Sequence, residues 1–535
     1  MAAVQHAPFE ATAIPEINSR ISTLRKTFRS NRTKPFAYRI KQLRKLYWAI
    51  HDNEELLKDA IYRDMRKCNY EATLHEIDWS KSAIIDLIDN AEKWLKDEPV
   101  VAMPFQAWPM GHHIRHTPMG LILVIGAFNF PYMLNFTGLA GALAAGNCVV
   151  VKPSESAPHC AMAIKKVIEA ALDPEAFVCV TGEVAQTQAL LDNKFDKIAF
   201  IGGNKVGTII AKKAAETLTP VVLELGGQNP AFITRNGDVK LAARRLMFQK
   251  TMNAGQVCFS HNYVLIERSV LSEFISAINQ QFRTMFPKGP KESPDYARII
   301  NSKEFARMKS MLDNTKGKIV MGGKMDESEL FIEPTAVLVE DYEDSMMTQE
   351  SFGPIWSIMA WDSLDEAIEI ANRVDPTPLS LFTFGTKAEN EKVLMNVRSG
   401  TANMNEGCAH GQFHPSPNCG VGSSGTGQMH GIYSLRTFSH QRTVAKGLPG
   451  WLDKLLRVRY MPYDPSKLKQ LQSVTQKKPN FDRNGNVIKG FAFWTKVILG
   501  LGAKSAAGVV LRWSVLVAMA FALGLGPTNL PFLST

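Results

Sequence analysis

Cys258 closes the stretch Asn253-Ala254-Gly255-Gln256-Val257-Cys258, one thiol after a small, flexible Ala-Gly step. Upstream, Val222-Leu223-Glu224-Leu225-Gly226-Gly227 sets a single carboxylate among apolar residues ahead of two glycines. A thiol and a carboxylate that meet in a pocket make a nucleophile and a base. A thiolate that adds to an aldehyde carbon creates an oxyanion. That oxyanion needs donors, most simply the N–H of the cysteine and a side-chain amide. Asn129, in Ala127-Phe128-Asn129-Phe130-Pro131, is such an amide on a loop just past an apolar run. Collapse of the oxyanion would expel hydride to a nicotinamide and leave a thioester. Glu224 could then activate water to release the acid.

Each of these residues has a plainer structural reading when taken singly. A lone buried cysteine is more often packing than nucleophile. An Asn-x-Pro asparagine is usually a turn residue, and a lone Glu after a strand is often salt-bridged. The turn Gly202-Gly203-Asn204-Lys205-Val206-Gly207, before a helix expected at Thr208–Ala215, can hold a pyrophosphate. It is not G-x-G-x-x-G, and alone it is a weak signal. The group Cys408, His410, His414 and Cys419 imitates a metal site in composition. A nicotinamide redox reaction needs no metal, and none is expected.

The elements that must position these groups are legible as patterns. Ile21, Leu24 and Phe28, then Ile40, Leu43, Leu46, Tyr47 and Ile50, recur at helical spacing, and Ala83–Leu95 continues the pattern. From Thr117 the texture changes. Leu121–Gly126, Cys148–Val151, Phe177–Val180 and Lys197–Ile201 are buried-strand runs separated by helices near Met133–Ala145 and Ala185–Leu191. Strands alternating with helices predict an α/β fold with a parallel sheet covered on both faces. A second α/β region runs from about Glu224 to Gly420, and Ser434–Val444 reads as strand-like.

At 535 residues the chain is too long for one ordinary core. Its seven cysteines are odd in number and without a framework spacing, which favours a reducing compartment. The net charge of +10 could hint at nucleic acid, but its location says otherwise. From Trp451 onward twelve Lys and Arg stand against three Asp, which accounts for nine of the ten excess charges. The body is nearly neutral, so no nucleic-acid partner is expected. The basic excess adjoins apolar stretches at Phe491–Leu511 and Trp513–Gly526, which points to a membrane surface. Trp513–Leu533 is long enough to span a bilayer as a helix. An amphipathic helix in the interface, or burial against the body, are the alternatives.

Taken together, the six motifs around Asn129, Lys152-Pro153-Ser154-Glu155, Gly202–Gly207, Glu224, Cys258 and Glu350-Ser351-Phe352-Gly353-Pro354 resemble, in order and spacing, the NAD(P)-dependent aldehyde dehydrogenase superfamily. The resemblance covers roughly residues 20–445. Gly420–Gly427, His430-Gly431, Thr437–Arg442 and Arg457–Tyr463 look like its class 3, fatty aldehyde dehydrogenase-like branch. In length and tail the chain is similar to the fungal β-apo-4'-carotenal dehydrogenase group of that branch. The resemblance implies Cys258 as nucleophile, Glu224 as general base and Asn129 as oxyanion amide. It places Lys152 and Glu155 at the adenosine ribose, and Gly202 and Gly207 at the pyrophosphate turn. Glu350 falls at the nicotinamide ribose and Phe352 behind the ring. It also implies a Rossmann-like cofactor domain over 1–223, a catalytic domain over 224–430, and an oligomerisation strand over 431–446 that joins a homodimer. A basic linker and apolar membrane-anchoring tail are expected over 447–535, with the catalytic body in the cytosol. The substrate is expected to be a fatty aldehyde or an apocarotenal, and the cofactor NAD or NADP. A catalytically silent scaffold on the same fold would lack one of Cys258, Glu224 and Asn129. A CoA-acylating variant would be hampered by Glu224. Val257, Phe259-Ser260-His261-Asn262, Ile201, Gly203 and Asn418-Cys419 depart from the family's usual residues. Val257 and Phe259, flanking the nucleophile, are expected to form an apolar throat.

Overall fold

Every residue of the strands Leu121–Ile125 and Cys148–Lys152 is buried, as a parallel sheet covered on both faces requires. The computed structural model describes residues 6–100, 111–408, 411, 416–418, 420–447, 449–476, 479–490, 494, 498–500 and 505–522. The first sheet has the order Gly425–Thr426, Val221–Leu225, Lys197–Gly202, Leu121–Ile125, Cys148–Lys152, Phe177–Cys179. All its pairs are parallel except the first. The chain winds outward from Leu121–Ile125 through the next two strands. It then returns to lay Lys197–Gly202 on the other side of Leu121–Ile125. That reversal opens a crevice beyond the carboxyl ends of the two central strands, where ligands bind in open α/β sheets.

The second sheet has the order Lys318–Met321, Thr335–Val339, Ile355–Trp361, Tyr263–Glu267, Pro230–Ile233, Ser380–Phe384, Thr401–Met404. It is parallel apart from its first pair. The short connection Gly226-Gly227-Gln228-Asn229 leaves the carboxyl end of a first-sheet strand and enters the amino end of a second-sheet strand. The expected boundary after residue 223 therefore falls inside the strand Val221–Leu225. The two sheets face each other across this connection, carboxyl edge to amino edge.

Helices Ile14–Arg29, Phe36–Asp52, Glu54–Met65 and Trp79–Trp94 bury the expected apolar stripe, with Ile21, Leu24, Leu43, Leu46 and Ile50 in the core of the first sheet. Two boundaries differ from the sequence reading. The helix expected from Thr208 opens at Asn204, capped by Gly203, so Gly207 lies in its first turn and not in the preceding loop. The strand expected from Ser434 is a helix over Gly431–Thr437, then a strand over Ser439–Val444. That strand is the outer member of a three-stranded antiparallel sheet with His113–Pro118 and Glu98–Pro99.

Both large sheets belong to one compact unit, Met1–Val100 with His113–Val444. The second unit comprises Val101–His112 and Ala445–Thr535. Within it, Asp464 caps the helix Pro465–Thr475 by accepting from the N–H groups of Ser466 and Lys467. A further helix spans Ala506–Ala522. Among the described residues no helix is long and apolar enough to cross a membrane. Parts of the expected apolar stretches, 491–493, 495–497, 501–504 and 523–535, lie outside the described residues.

Candidate active site

The Cys258 loop begins where the helix Val239–Thr251 ends. Asn253 and Ala254 adopt left-handed backbone at φ 50°, and Gly255 follows at φ 69°. A Cβ on Gly255 would stand 2.2 Å from the Gly353 carbonyl oxygen, so the chain can pass there only as glycine. Two non-glycine residues in this region store strain that the surroundings must hold. Several contacts do so. The Asn253 N–H donates to Glu71 Oε2 at 2.9 Å, and its amide donates to the carbonyls of Asn129 (2.9 Å) and Gln256 (3.1 Å). Gln256 Nε2 donates to the carbonyls of Asn253 and Arg298, and its Oε1 accepts from the Ile300 N–H. Asn229 Nδ2 donates to the carbonyls of Cys258 at 2.9 Å and Ser260 at 2.8 Å, while its Oδ1 accepts from Ser380 N–H. The Cys258 loop is thus bolted to the amino edge of the second sheet.

Cys258 is half-buried. Burial raises its thiol above the ordinary range, and the charges of Glu224 and Glu350 add to this. The N–H groups of Phe259 and Cys258 itself oppose the shift by facing the sulfur. Asn129 is buried at 2% exposure, and its Nδ2 donates to the Gln256 carbonyl at 3.1 Å. Behind it lies a fully buried ion pair. Lys67 Nζ reaches Glu76 Oε1 at 2.8 Å and the Asn129 carbonyl at 2.9 Å, with the Phe130 ring beneath at 4.2 Å. Glu76 Oε2 accepts from the N–H groups of Tyr132 and Met133, at the start of the helix Pro131–Ala144.

Glu224 sits in the strand Val221–Leu225 with its carboxyl buried. Burial pushes its pKa up to about 7, and a hydrogen bond donated by Asn418 pulls against that. Glu350 packs its carboxyl against Gly226, where a Cβ would lie 2.2 Å from Oε2. Burial lifts it to about 8, opposed by the Gly227 N–H, Arg307 and Lys250. Lys250, 1% exposed, is pushed down to about 7 by burial and donates to the Gly353 carbonyl at 3.1 Å. Arg307 donates to the carbonyls of Glu350 and Ser351. Phe352, itself at φ 44°, meets Phe128 edge-on with ring centroids 5.8 Å apart.

The remaining predicted residues line the carboxyl edge of the first sheet. Lys152 ends the strand Cys148–Lys152 and donates to Glu155 Oε2 at 2.5 Å. Gly202 ends the strand Lys197–Gly202. A Cβ on Gly207 would lie 2.7 Å from Leu225 Cδ2, so this glycine serves close packing of helix on strand. Val257 is 1% exposed and belongs to the core cluster of the first sheet, against which Phe259 also packs. Phe259 is half-buried, with Gly411 beside its ring. His410, His414 and Cys419 lie outside the described residues, and no metal-holding group of His, Cys, Asp or Glu occurs among the described ones.

Sequence reasoning missed Asn229, Lys67, Glu71, Glu76 and Lys250, and marked Asn418 only as a departure from the family's usual residues. Lys67, Glu71 and Glu76 fall between the helical patterns that end at Ile50 and begin at Ala83. Their only signal is charge on a segment that must be buried.

A profile of the aldehyde dehydrogenase family matches residues 5–444. Beta-apo-4'-carotenal oxygenase of Gibberella fujikuroi is 59% identical over 514 residues, covering 96% of this chain and 95% of that protein. Aldehyde dehydrogenase family 3 member B1 of Bos taurus is 38% identical over 452 residues, covering 84% of this chain and 96% of that protein. Among solved structures, the substrate-bound state of Staphylococcus aureus AldH is similar at a TM-score of 0.81 and 33% identity, covering 85% of this chain and 99% of that one. The chain belongs to the aldehyde dehydrogenase family and is an oxidoreductase that acts on aldehydes.

Proposed function

We propose that the chain oxidises a long apolar aldehyde, an apocarotenal or a fatty aldehyde, to its carboxylic acid with NAD or NADP. The meeting of Asn129, Glu224 and Glu350 around the Cys258 loop carries the reading. The name of the 59% identical relative favours an apocarotenal.

The residues present fit a dinucleotide. Among the described residues, none but its chain neighbours would come within 4 Å of a Cβ at Gly203, ahead of the helix Asn204–Ala215 whose first N–H groups can face a pyrophosphate. Lys152 and Glu155 offer a donor and an acceptor to one ribose, and Glu350 an acceptor to the other. Phe352 stands to back a flat ring. When bound, a nicotinamide supplies the hydride acceptor.

Cys258 Sγ forms a bond to the aldehyde carbon as Glu224 takes the thiol proton, which it then gives up to solvent. The Asn129 amide and the Cys258 N–H donate to the oxygen as it becomes anionic. Loss of hydride restores the C=O bond and leaves a thioester. Glu224 then takes a proton from the water that attacks the thioester carbon, and the sulfur departs with the carboxylic acid released. NADH or NADPH formation across alkyl, aromatic and polyene aldehydes tests this. Long alkyl or polyene substrates should be preferred, and Cys258→Ser should lower turnover at least about a thousandfold. Near wild-type activity of that variant would sink the reading.

The tail supports a membrane-bound setting with the body in the cytosol. Nine of the ten excess positive charges lie there beside the apolar helix Ala506–Ala522. The strand Ser439–Val444 has an open outer edge and mostly exposed side chains, which favours pairing in a homodimer.

A further inference from the structure

The geometry points to Asn418 as the positioning residue of the general base: its amide holds Glu224 Oε1, leaving Oε2 to meet the water that attacks the Cys258 thioester. The inference rests on the reading of Glu224 as that base. Asn418 Nδ2 donates to Glu224 Oε1. Oε2 is buried and accepts from nothing among the described residues. A buried carboxylate oxygen left idle is costly, so this oxygen is where a water belongs.

Asn418 is itself held. Its N–H donates to the Met429 carbonyl at 3.1 Å, and its carbonyl accepts from the Met429 N–H at 3.0 Å. Between these residues, Gly425 pairs with Glu224 and Thr426 with Leu223, antiparallel. A Cβ on Gly425 would stand 2.1 Å from the Leu223 carbonyl oxygen, so the segment seats directly on the strand that bears Glu224. Amide and carboxylate are therefore fixed on neighbouring backbones, and neither can drift without breaking this pairing.

The titratable groups facing this place are the Cys258 thiol, on the opposite loop, and Glu350, packed on Gly226 with Lys250 and Arg307 acting on it. Burial and the Asn418 amide are the two influences on Glu224, and the amide is the one that favours its anion. Asn418 thus lowers the pH at which the base becomes competent.

A p-nitrophenyl ester tests this on the full chain. It transfers its acyl group to Cys258 and releases p-nitrophenol without any cofactor, so thioester hydrolysis can be followed alone. The pH dependence of that hydrolysis is measured for wild type, Asn418→Leu, Asn418→Asp and Glu224→Gln. The acylation burst should persist in the Asn418 variants. The midpoint of hydrolysis should rise by about one pH unit in Asn418→Leu, a fall of about fivefold at pH 7. It should rise further in Asn418→Asp, which keeps the side-chain volume but adds a like charge. A midpoint that stays in place in both variants overturns the inference. Hydrolysis at the wild-type rate in Glu224→Gln overturns the base assignment beneath it, a separate result.

Discussion

Glu224 is 3% exposed, and ionising a carboxyl there is costly. Its pKa of about 7, against an ordinary 4.5, expresses that cost as proton affinity. Because the folded-state value lies above the unfolded one, the group's contribution to stability is fully present below pH 4.5. It is lost as pH rises through about 7. Glu224→Gln removes the loss. At pH 8 the variant should be more stable than wild type by about 1–3 kcal/mol, and at pH 4 the two should match. With Glu224 proposed as the base for the attacking water, the same change should slow thioester hydrolysis by about 10²–10⁴. In wild type, hydrolysis should climb with pH about a midpoint near 7, as the base ionises. Denaturant titrations at the two pH values and burst kinetics check both halves. Equal stability at pH 8 would refute the burial account. Glu350, lifted to about 8 by the same cause, adds to the loss in the same direction.

Among elements, the segment Lys67–Glu76 does more than pack. Lys67 ties the Asn129 carbonyl, Glu71 ties the Asn253 N–H, and Glu76 caps the helix that follows Asn129. One short stretch therefore holds both Asn129 and the strained turn before Cys258. The segment includes a π-helical turn, Thr73–Asp78, a form found most often at functional sites. Lys67→Met leaves Glu76 charged and unpaired at zero side-chain exposure. It should cost about 3–5 kcal/mol of stability in denaturant unfolding. Lys67→Met with Glu76→Gln should recover part of that, since the amide oxygen can still accept a backbone N–H. A double variant no more stable than the single one would show that the pair's charge is not the issue.

At the scale of the whole molecule, the unit that contains both sheets ends at Val444, where the family match also ends. A chain stopped after Gly450 should keep turnover on a short soluble aldehyde near the full-length value and no longer sediment with membranes. A truncated protein that still pellets with vesicles would refute the role given to the tail. The described part of that tail contributes a 17-residue helix, Ala506–Ala522. At about 1.5 Å per residue it falls short of a ~30 Å hydrocarbon core.

The α/β alternation was legible in the sequence, and so were Cys258, Glu224 and Asn129 as candidates for the chemistry. Both follow from local facts, a run of apolar residues between turns and a residue type at a motif's position. The sequence also determined where the charge sits. Which face each side chain takes, and what it touches, follows from the packing of distant segments. Val257 reads as a neighbour of Cys258, and its burial in the core cluster of the first sheet shows only in the fold. Gly207 reads as part of a phosphate loop, yet the helix starts three residues earlier and spends that glycine on Leu225. Asn418 lies far along the chain from Glu224, and the short antiparallel pair Gly425–Thr426 with Leu223–Glu224 brings them together. Such contacts depend on strand pairing between distant segments, which local pattern does not encode.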